Sequence, residues 1–179
     1  MFKFLALVSL AFVLSAAAVH AEAKEAPQSL VQGDGHSGLE GVWKITEVVQ
    51  TGAGAYAVPT PQPGLIIFTK SHFSWMWLPG GMARGLFEAA VPTNEEKLAA
   101  FDALVASSGT YQLNGSTATF RHIVSKSPNA VSIDEQFLIE GDTLTLTWTS
   151  SDIRVRIGQD VVPLPVPAYQ GRMKLVRVE

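Results

Sequence analysis

Residues 108–149 read as four short strands in succession, and two of the three joints between them carry tight-turn residues, Asn114-Gly115 and Gly141-Asp142. Asn-Gly supplies residues that tolerate positive φ, which a two-residue hairpin needs if its twist is to match the flanking strands. The middle joint, residues 125–130, is longer and centred on Ser127-Pro128-Asn129. An up-and-down meander of this kind must bury one face and hide its edges. Closure into a barrel does both.

The segments on either side fit such a wall. From Gly41, the apolar Trp43, Ile45 and Val49 alternate with Lys44, Thr46 and Gln50, as a half-buried strand requires. Residues 64–70 and 72–78 form two more strands that turn at Lys70-Ser71, and Phe73, Trp75 and Trp77 fall on one face of the second. That face serves either as core or as the lining of a ligand site. Residues 52–64 and 79–92 are rich in Gly and Pro and read as irregular, the second with Gly80-Gly81 as a break and Arg84 as its only cation. Loops of such length often cover a binding mouth.

A helix follows. Thr93 is its N-cap and Glu96 completes a capping box, while Leu98, Phe101, Leu104 and Val105 recur at helical spacing up to a stop at residues 107–109. Read this way it is amphipathic, and is expected to pack on the outside of the barrel or to plug one end. Residues 153–157 alternate around Arg154 and Arg156, and Pro163, Pro165 and Pro167 then break the chain. A last strand, residues 172–178, puts Met173 and Leu175 on one face and is expected to close the sheet against the first.

The start of the chain reads as a secretory signal peptide over residues 1–21. Lys3 precedes an apolar run that only Ser9 interrupts, and Val19-His20-Ala21 forms a small-residue cleavage site. The run is shorter than the ~20 residues of a membrane span. Residues 22–38, which include His36, read as a flexible leader, and residues 39–179 as the barrel domain. The expected location is the periplasm or the exterior.

No cysteine is present, so neither a disulfide framework nor thiolate chemistry is open to this chain. The formal net charge is −3 and becomes one unit more negative when Lys3 is lost with the leader. A mildly acidic chain without a basic run has no electrostatic footprint for nucleic acid or for an anionic membrane. The expected partner is a small apolar ligand.

Taken in order, these residues resemble the bacterial lipocalin-like domain family of the calycin group. Gly41-Val42-Trp43 resembles the lipocalin Gly-x-Trp signature, and Pro63-Gly64-Leu65-Ile66-Ile67-Phe68-Thr69 the strand after the Pro-rich loop. Thr93-Asn94-Glu95-Glu96-Lys97 followed by Ser108-Gly109-Thr110-Tyr111 resembles the subgroup's passage from helix to strand. His122, Ser127-Pro128-Asn129, Gln136 and Gly141-Asp142-Thr143-Leu144-Thr145-Leu146 match its meander. The resemblance spans roughly residues 39–178 and implies a small antiparallel up-and-down barrel with one short helix and a central cavity for a small apolar molecule. The chain departs from animal lipocalins in lacking a disulfide and in its shorter, differently placed helix. Calycin barrels serve as carriers, enzymes and inhibitors, so the fold alone names no activity.

Catalytic signatures are missing: there is no Gly-x-Ser-x-Gly, Walker loop, dinucleotide fingerprint or His-Glu-x-x-His. The histidines are too scattered to bring two to one metal, so neither a metal nor another cofactor is expected. In residues 131–140 the apolar face holds Val131, Ile133, Phe137 and Ile139 with Glu135 embedded among them. A carboxylate in such a place is either paired, with Arg121 as the candidate across the ladder, or neutral. His122 lies on one face with Phe120 and Val124. Turned inward, it joins Tyr111 and Trp148 as polar handles in an apolar cavity; turned outward, it is a surface histidine. The apolar face of Leu144, Leu146 and Trp148 on the next hairpin favours the inward arrangement.

Three functions fit. A binding protein would hold its ligand with Trp75, Trp77, Tyr111, His122 and Trp148. A cavity enzyme of isomerase or cyclase type would use His122 or Glu135 as acid or base, although no catalytic residue is marked by a motif. An interaction or inhibitor module would use the loops at residues 52–64 and 163–167, where Tyr56 and Tyr169 are the aromatic residues. The binding protein is the reading the sequence favours.

Overall fold

In the computed structural model, which describes residues 38–79 and 85–179, glycine sets both tight joints of the meander. Its strands are β5 (Val105–Asn114), β6 (Thr117–Ser125), β7 (Ala130–Glu140) and β8 (Thr143–Thr149). Asn114 pairs with Thr117, so the first turn is made by Gly115-Ser116, one residue later than the Asn-Gly pair suggests. Glu140 pairs with Thr143 around Gly141-Asp142. In each turn the leading glycine sits in the left-handed region, at φ 58° and 59°, where a side chain would be strained. The signal peptide, nearly all of the leader with His36, Gly80-Gly81 and Arg84 lie outside the described residues.

The remaining strands are β1 (Gly41–Gly52), β2 (Tyr56–Val58), β3 (Leu65–Phe68), β4 (His72–Trp77), β9 (Ile153–Ile157), β10 (Asp160–Pro163) and β11 (Tyr169–Arg177). Every pairing is antiparallel. β3 to β8 pair in sequence order, β11 pairs with β8 and with β1, and β1 pairs with β3. The result is a closed barrel of eight strands: β1, β3 to β8 and β11. The last strand closes against the first, as the sequence predicts. β2 adds to β1 beyond the reach of β3.

The β9–β10 hairpin competes with β8 for one edge of β7. Residues Ala130, Ser132 and Ile133 pair with β9, whereas residues from Gln136 to Glu140 pair with β8. Asp134 and Glu135 between them are paired on the β6 side only, to Thr119 and Ala118.

One end of the barrel is sealed by the residues around the Gly-x-Trp segment. Trp43 and Leu39 are wholly buried, and the indole Nε1 donates to the Leu39 carbonyl at 2.7 Å. The Arg177 guanidinium lies 4.1 Å from the centroid of the Trp43 ring, and it donates to the carbonyls of Glu40 (2.6 Å) and Gly38 (2.5 Å). The cation therefore covers the ring and ties the chain that enters β1 to the end of β11.

Along β1 the expected alternation breaks. Trp43 and Ile45 face the core, but a bulge between Ile45 and Glu47 shifts the register against β11. Val48 is buried in place of Val49. An extra residue in one strand exchanges the two faces beyond it.

The helix departs further from expectation. α1 (Asn94–Asp102) has the predicted capping box: Thr93 Oγ1 accepts from the Glu96 amide at 3.2 Å, and Glu96 accepts from the Thr93 amide at 2.7 Å. It buries no residue, however, and Leu98 and Phe101 are more than half exposed. It does not pack amphipathically on the barrel. Val105, which by spacing alone extends the helical face, instead pairs with Trp77 and opens β5, satisfying an edge of β4 that would otherwise stay open. Lys126 links α1 to the barrel, donating to the Asp102 carbonyl at 3.2 Å with its ammonium 4.6 Å from the Phe101 ring centroid.

Candidate functional site

Inward alternation on β4 puts Phe73, Trp75 and Trp77 on one face, and the same rule on β8 turns Leu144, Leu146 and Trp148 inward. Phe73 and Leu144 are fully packed toward the sealed half. Past them the barrel is not filled. A cavity of about 120 Å³ lies between Trp75 and Trp77 of β4, Leu146 and Trp148 of β8, and Ile133 and Glu135 of β7, with Ile66, Val105 and Met173 completing the wall.

Two glycines seat two of the tryptophans. Gly171 is paired with Trp148, and a Cβ on it would lie 2.3 Å from two carbons of the indole. A Cβ on Gly64 would lie 2.5 Å from the Cβ of Trp77. Distances this short leave no room for any other residue without moving the Trp148 ring or the base of the Trp77 side chain.

Among the described residues, two polar atoms of this otherwise largely apolar wall are buried without a partner. Glu135 is 4% exposed, and its Oε2 has no hydrogen-bond partner. Trp75 Nε1 is likewise buried without a partner. An unsatisfied buried polar group costs about 1–3 kcal/mol. Desolvation pushes the Glu135 carboxyl up to about 8, so the group is a neutral acid at neutral pH. The expected Arg121 partner is absent for a geometric reason. Glu135 stands opposite Ala118 on the inward face of β6, while Arg121 pairs with Ser132 and is exposed on the outer face.

Of the five residues predicted to hold a ligand, Trp75, Trp77 and Trp148 line this cavity. Tyr111 lies in the sealed half. It is buried edge-on against Phe68 (5.5 Å between centroids), and its hydroxyl donates to the Thr69 carbonyl at 2.7 Å. His122 is half-buried at the β5–β6 bulge opposite Gly109, with Nδ1 2.6 Å from Ser107 Oγ. Its ring packs against Phe73 and Trp75, at 5.8 and 5.7 Å between centroids. It stands behind Trp75 and is not part of the wall, and burial holds its imidazole below the ordinary histidine range. Glu135, Ile133, Leu146 and Met173 join the site through inward faces already legible in the sequence, whereas Gly171 and Gly64 carried only the weaker signal of glycine at a strand.

No family model matches the chain, and no curated protein or solved structure matches it either. The site stands on its geometry. Among the described residues no group of three or more His, Asp or Glu side chains is placed to hold a metal ion. A neutral carboxyl and an indole N–H in an apolar chamber can do two things: hold the polar group of a small molecule, or pass it a proton.

Proposed function

We propose that this chain is an exported, lipocalin-like protein that binds a small hydrophobic molecule in its barrel. The observation that carries the reading is the chamber of about 120 Å³ between three tryptophans, set beside a cluster of buried core side chains. Apolar cavities of about 150 Å³ admit a molecule of benzene size, so this one suits a single small ring or a short branched chain. Trp75, Trp77 and Trp148 remain partly exposed, which leaves a way in at that end. Export rests on the signal peptide read at residues 1–21.

Native mass spectrometry of the mature protein from its own host tests the reading, since a carrier brings its ligand with it. Titration with small cyclic hydrocarbons, read by tryptophan emission, covers the case in which the ligand is lost on purification. Silence in both experiments refutes the proposal.

The neutral Glu135 supports a second reading, an acid–base enzyme acting on the bound molecule. Glu135→Gln separates the two. An enzyme loses turnover with affinity kept, whereas a carrier has no turnover to lose.

A further inference from the structure

The polar atoms of the cavity specify more than an apolar guest. We infer that the ligand is an uncharged molecule carrying one hydrogen-bond-accepting oxygen, a ketone or a compact ether or ester, held by the Glu135 carboxyl and the Trp75 indole N–H. This rests on the binding reading above and adds the chemistry of the head group.

The wall lacks partners for some of its own polar atoms. Two polar atoms in it are buried and unpartnered, Trp75 Nε1 and Glu135 Oε2. Trp75 can only donate, and a protonated carboxyl has one O–H to donate as well. A ligand that leaves both unsatisfied gains nothing from them, while one that brings an acceptor relieves the standing cost of each. An anionic head is disfavoured because, among the described residues, no Lys or Arg lines the chamber. An ammonium could lie on the three indole faces and ionise Glu135, but it would offer no acceptor to Trp75 Nε1.

The groups around Glu135 leave its proton as the one that matters. Across the ladder on β6 it faces Ala118, with Phe120 and His122 further along the same face; β8 presents Leu146 and Trp148, and β11 Met173. The inward titratable groups on adjoining elements are His122, held by Ser107 Oγ, Tyr111, held by the Thr69 carbonyl, and Tyr169 of β11, hydrogen-bonded to Trp148 and pushed up by burial so that it stays neutral. The neighbouring Asp134 turns outward to Thr119 Oγ1 at 2.7 Å.

The experiment compares cyclopentanone, cyclopentane and cyclopentylamine, titrated into the mature protein at pH 6 and pH 9 and followed by the indole N–H resonances. The ketone is expected to bind more tightly than the hydrocarbon at pH 6 and to shift the Trp75 N–H signal downfield. It should weaken about tenfold at pH 9 as the carboxyl ionises, while cyclopentane stays constant. Glu135→Gln keeps the ketone preference and loses its pH dependence; Glu135→Leu loses the preference but still binds cyclopentane. Equal affinities for ketone and hydrocarbon, or an amine that binds best and tightens toward pH 9, would overturn the inference while leaving the carrier intact. Failure of every probe, cyclopentane included, would overturn the carrier reading and the inference with it.

Discussion

Trp148 lies across Gly171 on the β8–β11 ladder, so close that a methyl group on residue 171 would stand 2.3 Å from the ring. The absence of a side chain on one strand thus sets the position of an aromatic wall on the next. Gly171→Ala should push the indole out of place. Overpacking of this kind costs about 1–3 kcal/mol, and the displaced ring should change both the tryptophan emission and the affinity for apolar probes. Thermal unfolding with emission spectra checks this, and unchanged spectra would mean that the ring has room to spare.

Glu135 makes a statement about pH. In the unfolded chain its carboxyl ionises near 4.5, while in the native chain it keeps its proton up to about 8. Between those values the native state binds more protons, so stability falls as pH rises, by about 1.4 kcal/mol per unit from this group. Denaturant unfolding of the parent and of Glu135→Gln isolates the effect. The two should be nearly equal at pH 4, and the glutamine variant should gain steadily on the parent up to about pH 8. A constant difference across that range would show that Glu135 ionises normally.

The sealed end predicts a loss that ligand binding should not feel. Arg177→Met removes the cation over Trp43 and strands the Gly38 and Glu40 carbonyls that it serves. A cost of about 1–3 kcal/mol is expected, with probe affinity unchanged because the cavity lies in the other half of the barrel. Unfolding curves beside probe titrations measure both.

The helix should be separable from the barrel. Since α1 buries nothing, its persistence depends on its cap. Thr93→Ala removes an interaction that contributes about 0.5–2 kcal/mol to helix formation. The helical circular dichroism signal should drop, while the unfolding midpoint followed by tryptophan emission stays put. A fall in that midpoint would show that α1 supports the wall after all.

Much of this architecture was legible because strand faces follow a period of two. The inward sets on β4, β7 and β8, which bring Trp75, Trp77, Glu135 and Trp148 to the chamber, come directly from that alternation. What alternation does not carry is height along the barrel, which depends on strand stagger. Alternation therefore gives Tyr111 its inward face but not its level, which lies in the sealed half beside Phe68. The bulge after Ile45 was hidden because Val48 and Val49 are equally apolar, so either can serve the core. The helical spacing of Leu98 and Phe101 suggested a packed face, but pairing with Trp77 drew Val105 into β5 and left those two side chains without a surface to cover. Arg121 failed as a partner for Glu135 by parity, since the ladder sets Glu135 against an even-numbered, inward residue of β6.

The handover of β7 from β9 to β8 has a further consequence. At Asp134 and Glu135 the wall is stitched on one side only, so the seam in the barrel coincides with the one acid among the described residues of its chamber. Backbone amides at such a seam exchange with solvent through small local openings, without the whole structure coming apart. Opening of these two residues would give the Glu135 carboxyl a route to solvent through the side of the barrel, separate from the end framed by the tryptophans.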